Sequence, residues 1–322
     1  MKRKASSRLA GLPAAVRSRL VPNDLWALLK EQQAVHEQQL IATGRQEARW
    51  SRSSRCPDIR SAEFGVFSQF GEDGIIQYLL GRVPIENETF IEFGVESYQE
   101  SNTRFLLVND NWTGLIMDID PAHIDFVSGR PFMWRHTLTA LQRRVTRDNV
   151  NSVISEAGLS GDVGLLSLDI DGNDYWVLEA LEVVSPRILI IEYNSLFGSA
   201  RAVTIPYGEN FMRHDAHHSG LYWGASLAAL TQLATRKGYS LIGSNSNGNN
   251  AFFVRNDVVG ELETQDAAGA WVESRFREAR DESGTLLFLS GHAKQLEVIK
   301  DLPLVDVITG ETIRVADLRI QT

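Results

Sequence analysis

The chain has a single cysteine, Cys56, in 322 residues. No internal disulfide can staple the fold, and nothing near the lone thiol marks it as a nucleophile. Lysine is nearly as scarce, six against 26 arginines, with none between Lys30 and Lys237. A catalytic lysine is thereby excluded from the centre of the chain. No apolar run approaches the roughly 18 residues that a membrane span needs, and the basic N-terminus is not followed by a signal-peptide core. The expected location is therefore cytoplasmic. A net charge of −9 removes the basic footprint of a nucleic-acid binder, so no nucleic-acid partner is expected. The phosphate-cradling GxGxxG pattern is also missing.

The informative residues centre on Thr89 to Asp120. Phe90, Ile91 and Phe93 form the short apolar run of a strand covered on both faces. Gly94 follows at its carboxyl end, where open parallel sheets bind ligands and where glycine lets the backbone come close to one. Ser101, Asn102 or Thr103 can cap a helix whose apolar stripe begins at Phe105, Leu106 and Leu107. A second strand, Thr113 to Met117, then delivers Asp118 and Asp120 before Pro121. An acid about twenty residues after a glycine turn is the usual holder of a ribose diol. Glu92 and Glu96 flank the turn and would repel a diphosphate. The expected ligand is a nucleoside with a cationic or neutral tail, which S-adenosylmethionine satisfies. On these residues alone, a plain βαβ unit with surface acids at its strand ends is the alternative.

The chain divides by composition into a basic, partly helical extension (1–58), a central α/β domain (59–258) and a C-terminal helical segment with a small hairpin (259–322). In the extension, Asn23 or Asp24 can cap a helix carrying Leu25, Leu28, Leu29, Val35 and Leu40 at helical spacing. This reads as a solvated or dimer-forming helix, with peripheral contact to a membrane surface or acidic partner through Lys2, Arg3, Lys4 and Arg8 as the alternative. The domain opens with a helix bearing Ile75, Ile76, Leu79 and Leu80, headed by Gly71, Glu72 and Asp73. The helix dipole accounts for the two acids. Equally, Gln69 and Glu72 stand just before the first strand, within reach of its ligand.

The second informative stretch is GLLSLDIDGNDYWVLEAL followed by PRILIIEYNSLFG. Leu165 to Leu168 predict a buried strand ending in Asp169 and Asp171, and Ile188 to Ile191 another ending in Glu192 and Asn194. Oxygen donors with little sulfur or imidazole suit Mg²⁺ or another hard divalent cation, which would lower the pKa of a substrate hydroxyl. Alternatively, Asp171 and Asp174 cap the next helix and Glu192 pairs with an arginine. His214, His217 and His218 fall in a segment read as loop, as substrate contacts or a general base, or as ordinary loop histidines. Tyr222 and Trp223 offer an apolar wall. A helix from Ser226 to Lys237, ending at Gly238, leads into two strands across YSLIGSNSNGNNAFFVRND. From Gly260 an acidic helical stretch and a hairpin within Val305 to Val315 follow, with no chemistry assigned.

The blocks FSQFGEDGII, FIEFGVESYQESNTRFLL, GLIMDIDPAHI, SLDIDGNDYWVLEAL, RILIIEYN and YWGASLAAL with GYSLIGSNSNGNNAFFVR span about Phe67 to Arg255. In this order they resemble class I S-adenosylmethionine-dependent methyltransferases, and in particular FkbM-like and related bacterial enzymes of glycan or natural-product modification. The resemblance implies a Rossmann-like α/β fold: a mostly parallel seven-stranded sheet with a closing antiparallel hairpin. It implies an O-methyltransferase acting on a hydroxylated small molecule, sugar or glycan, with a noncatalytic nucleoside-binding or assembly module as the alternative. Cofactor-binding positions are then Gln69, Glu92, Gly94, Glu96, Asp118, Asp120 and Asp169. His214, His218 and Asp171 are the candidate catalytic residues, and Asp169, Asp171, Glu192 and Asn194 the candidate metal ligands, as in catechol-type enzymes. Glu96 departs from the family pattern, standing where many members carry a second glycine.

Overall fold

Short, mostly apolar segments become the parallel strands of one sheet. They are β1 (Thr89–Phe93), β2 (Thr113–Asp118), β3 (Leu138–Gln142), β4 (Gly161–Leu168) and β5 (Val184–Glu192). The computed structural model describes residues 23–56 and 58–318, with side chains from Leu25 onward. β1 lies between β2 and β4, and each of its residues is buried. β3, at the sheet edge, buries only Leu138 fully. This difference follows from position, since only central strands are covered on both faces.

After the two-residue strand β6 (Val203–Thr204) come β7 (Tyr239–Ser244) and β8 (Asn250–Arg255). The connection of Asn245 to Asn249 is too short for a crossover, so these two pair antiparallel, and β8 pairs antiparallel with β5. The resulting seven-stranded order, β3-β2-β1-β4-β5-β8-β7, is that of the class I methyltransferase fold.

Alternation along the strands sends side chains to two cores. Ile91, Phe93, Leu166, Leu168, Leu189 and Ile191 pack with helices α4 (Val150–Glu156), α5 (Asp174–Ala180) and α6 (Leu227–Arg236), the fourth to sixth in order after α1 (Asn23–Ser53), α2 (Glu72–Leu80) and α3 (Pro121–Ser128). Phe90, Ile116, Leu165, Ile188 and Ile190 face the other way, onto Ile75, Ile76 and Leu79 of α2 and Val127 of α3. Fully burying one such side chain contributes on the order of 1.5–3 kcal/mol.

The compact units divide between Gln46 and Glu47. Within the first, α1 leaves Leu25, Leu28, Leu29 and Val35 exposed. No described helix is long and apolar enough to cross a membrane.

Three local expectations are corrected. The helix expected after β1 is reduced to a short stretch that continues as a π-helical turn, Leu106–Asp110, closed by Asn111 at φ 58°. The expected cap region is confirmed in another form, since the donors of Ser101, Asn102 and Thr103 end on the Glu92 carboxylate ahead of this stretch. The stretch after Gly260 is mostly irregular: a one-turn helix, Ala267–Ala270, precedes α7 (His292–Ile299). Finally, the histidine segment is not wholly loop, since Arg213–Ala216 form a single helical turn. The small hairpin is present as β9 (Pro303–Asp306) and β10 (Thr312–Arg314), and β9 also pairs with β6.

Candidate active site at the carboxyl edge of the sheet

At the end of β1, the buried Glu92 carboxylate accepts from Ser101 Oγ at 2.6 Å, Asn102 N at 2.9 Å, Thr103 N at 3.2 Å and the Thr103 hydroxyl. Burial pushes its pKa up, against the pull of these donors. Glu92 therefore shapes the loop that borders the crevice. Gly94, at φ 77°, is exposed, and a Cβ there would stand 1.6 Å from the Asp169 carbonyl oxygen. Glycine is thus required at this position by the exit of β4, whatever approaches its exposed side. Glu96 (φ 45°), Tyr98 (φ 55°) and Asp171 (φ 55°) adopt left-handed backbone in the loops after β1 and β4. Such strain in non-glycine residues concentrates at functional sites.

Asp118, buried at the end of β2, accepts Glu96 N at 2.7 Å on Oδ2, and Asp120 N at 2.8 Å with His123 Nδ1 at 3.1 Å on Oδ1. A carboxylate has about four lone-pair sites, so one remains open, on Oδ2, the number a single ribose hydroxyl needs. Asp120 accepts Ala122 N at 2.8 Å and caps α3 with Pro121 at its first turn. Its ligand role is confined to what a half-exposed cap can reach.

The loop before α2 is built by the two acids at that helix's head. Asp73 Oδ2 accepts Val66 N, Phe67 N and Ser68 N at 2.7–2.9 Å. Glu72, fully buried, accepts Phe70 N at 2.9 Å and the amides of Asn245 and Asn250 at 2.7 and 2.9 Å. Both acids act internally, while Gln69 in the loop before them is exposed. Asp73 Oδ1 has no partner, and burial raises the Asp73 pKa from 3.8 to about 6. A group that binds its proton more tightly when folded stabilises the fold below its unfolded pKa, and that contribution is lost as pH rises through the folded value. Asp73→Asn should therefore gain about 3 kcal/mol relative to the native protein between about pH 4 and pH 7. Urea denaturation across that range reads the gap, and a pH-independent gap overturns the assignment.

At the ends of β4 and β5, oxygens of Asp169, Asp171 and Glu192 lie within 4.8 Å of one another. Burial, then the neighbouring carboxylates, pushes both Asp169 and Glu192 well above the carboxylate range. Two carboxyls so placed share a proton. Glu192 Oε2 is buried with no hydrogen-bond partner, the state of an oxygen that awaits a proton, a cation or a substrate hydroxyl. The hard-oxygen donor set and this orphan atom fit a divalent cation. Arg213 competes for the same charge: its Nη1 lies 2.8 Å from Asp171, its Nη2 bonds Glu278, and its Nε donates to Gly220 O at 2.6 Å. Asn194 is engaged elsewhere, donating to Leu221 O and Trp223 O at 3.1 and 2.9 Å and accepting Leu196 N at 3.1 Å. Asp174, placed as a cap by the sequence, accepts Ile170 N and Gly172 N at 2.9 Å and shapes the turn beneath Asp171.

His214 packs its ring over Gly220, where a Cβ would come within 2.8 Å of it. His218 stacks on His217 at 4.2 Å, and His217 bonds the Ser219 hydroxyl at 2.8 Å. Among the described residues, neither His214 nor His218 hydrogen-bonds to the carboxylates. Tyr222 and Trp223 are buried, and the Trp223 ring receives the Arg213 guanidinium at 4.7 Å.

The residues the sequence reading missed are His123, Arg213 and an irregular strap, Trp271 to Arg280. Val272 O accepts from Ser195 Oγ at 2.8 Å, Ser274 N donates to that Oγ at 2.9 Å, and Arg280 N donates to Ser219 O at 3.2 Å. Phe276 lies 5.3 Å from Phe70, beside Gln69, and Glu278 grips Arg213. The strap thus joins the loop before α2 to the carboxylate cluster. One available signal was Gly248 in the Asn-rich turn: at φ 72°, its Cβ would strike Val272 O at 2.4 Å.

No family model matches this chain. No curated protein matches it either. Among solved structures it is similar to the methyltransferase domain of bacterial CtHen1-C, with 16% identity over 52% of this chain and 89% of that one and a TM-score of 0.34. It is similar to a SAM-dependent methyltransferase from Aquifex aeolicus at 8% identity, 55% and 87% coverage and a TM-score of 0.33. The pyocyanin biosynthetic protein PhzM aligns at 12% identity, 56% and 53% coverage and a TM-score of 0.35. Likeness at this level carries no argument about chemistry, and the fold assignment rests on strand order and register.

Proposed function

We propose that the chain is an S-adenosylmethionine-dependent O-methyltransferase of FkbM-like type, acting on a hydroxyl of a sugar, glycan or other small molecule. The observation that carries this reading is the pairing, on one sheet edge, of a ribose-competent acid with a proton-sharing carboxylate cluster. Asp118 keeps one lone-pair site open at the end of β2, while Asp169, Asp171 and Glu192 converge at the ends of β4 and β5. Exposed Glu96, two residues after Gly94, supports this reading, since its charge favours the cationic groups of a methionine tail.

The cofactor, when bound, supplies an electrophilic methyl group and departs as S-adenosylhomocysteine. The chain orients the acceptor and accepts its hydroxyl proton as the oxygen forms its bond to the methyl carbon. Glu192, with its orphan oxygen, is placed for that proton, ahead of the exposed His214 and His218. A divalent cation held by Asp169, Asp171 and Glu192 is the second reading, favoured by the same orphan oxygen, and would lower the hydroxyl pKa.

Calorimetric titration with S-adenosylmethionine, S-adenosylhomocysteine and NAD, with and without Mg²⁺, tests the reading. Binding of the first two and not the third is expected. Absence of binding by both methyl-cycle ligands overturns it. Binding without transfer to any hydroxylated acceptor favours the noncatalytic module, with the exposed leucines of α1 as its place of self-association.

A further inference from the structure

A cavity of about 540 Å³ lies apart from the crevice just described, and none of Gly94, Asp118, Asp169 or Glu192 lines it. Its walls come from the chain leaving β5, from α7 and from the last described turn: Leu196, Phe197, Trp271, Leu296 and Leu318. This volume lies within the range, roughly 300–1,000 Å³, that encloses a small molecule. The aromatic wall is fixed in place. Trp271 Nε1 donates to Ser195 O at 3.2 Å, and its ring meets His292 edge-on at 5.9 Å.

The charged groups at the rim already have partners within the chain. Arg201 donates to the Asp306 carboxylate at 3.2 Å and to Asp317 O at 3.3 Å, and the Asp317 carboxylate accepts Arg314 N at 2.8 Å. Burial lowers the His292 pKa, which keeps that ring neutral. A charged ligand would shed its hydration against the apolar wall, where the rim offers only Arg201 and Asp317, both already partnered, as counter-charges. An uncharged one sheds little and gains apolar and edge-on aromatic contact.

We propose that this cavity is a second ligand site, separate from the methyl-donor crevice, for an uncharged aromatic small molecule. The test uses a matched pair of fluorescent probes on the full chain: neutral N-phenyl-1-naphthylamine and anionic 8-anilinonaphthalene-1-sulfonate. The neutral probe should bind at a single site at least tenfold more tightly than the anion. Ala200→Trp, which fills the cavity from an exposed position, and Leu296→Trp, which fills it from α7, should each weaken the neutral probe at least tenfold. Ala200→Trp should leave S-adenosylmethionine affinity unchanged and so serves as the folding control. Trp134→Ser, at the most exposed large apolar side chain among the described residues, 76% exposed, should leave probe binding unchanged.

Equal affinity for the two probes, or unaltered binding in Ala200→Trp, overturns the proposal. So does a tenfold tightening in Ile320→Ser, because Arg319 to Thr322 follow Leu318 in the sequence and tightening would make the chain's own end the occupant.

Discussion

Asp118→Ala should bind S-adenosylmethionine on the order of 100-fold more weakly than the native chain, while turnover of the saturated enzyme falls much less. A hydrogen bond to an ionised carboxylate contributes about 1.5–3 kcal/mol, and 100-fold in affinity is about 2.7 kcal/mol. The substitution removes the proposed ribose acceptor and also two backbone anchors. Glu96 N and Asp120 N both end on the Asp118 carboxylate, at 2.7 and 2.8 Å. Releasing Glu96 from its left-handed backbone lets the loop over the crevice relax away from its binding geometry. Asp118→Asn keeps one accepting oxygen and should fall between the two. Neither variant touches the carboxylates at β4 and β5, so the loss belongs to binding. Calorimetric affinity that is unchanged in Asp118→Ala would remove the ribose assignment.

The parts of this site that were legible in sequence are those dictated by local pattern. β1, β4 and β5 are doubly buried and read as short, mostly apolar runs, so the acids at their ends could be placed on one edge. The Asn/Gly-rich turn after β7 forced the antiparallel hairpin that defines the sheet order. What stayed hidden depends on partners distant in the chain. Glu92 takes the donors of Ser101, Asn102 and Thr103, and nothing near Ser101 or Thr103 in the sequence announces that partner. Arg213 is one of 26 arginines, distinguished only by Asp171 and Glu278 on either side of it. The strap has no periodicity, because it is held by Ser195, 77 residues upstream of Val272. Gly94 shows in sequence only that a backbone must come close, and the fold adds that the Asp169 carbonyl is one such neighbour.

Glu192→Gln should lower methyl transfer by about three orders of magnitude, within the range in which general-base contributions fall, while leaving S-adenosylmethionine affinity within a few-fold of native. Glutamine matches glutamate in shape and can donate to Asp169, but it cannot take a proton from the acceptor. The native pH profile follows from the same pair. Burial and the adjoining carboxylates raise both Asp169 and Glu192, so the base form accumulates only as pH climbs, and transfer should rise with pH. Stability moves the opposite way. A folded pKa above the unfolded one stabilises at low pH and is lost as pH rises through the folded value. Removing one titrating carboxyl therefore makes Glu192→Gln at least as stable as native on the alkaline side. A variant that is inactive, binds cofactor and resists unfolding at high pH has lost chemistry and not structure. Mn²⁺ binding read by electron paramagnetic resonance then separates the two roles of Glu192. Binding to the native chain that disappears in the variant favours the cation reading, and no binding to either leaves Glu192 as the base. Full activity in Glu192→Gln would remove it from both.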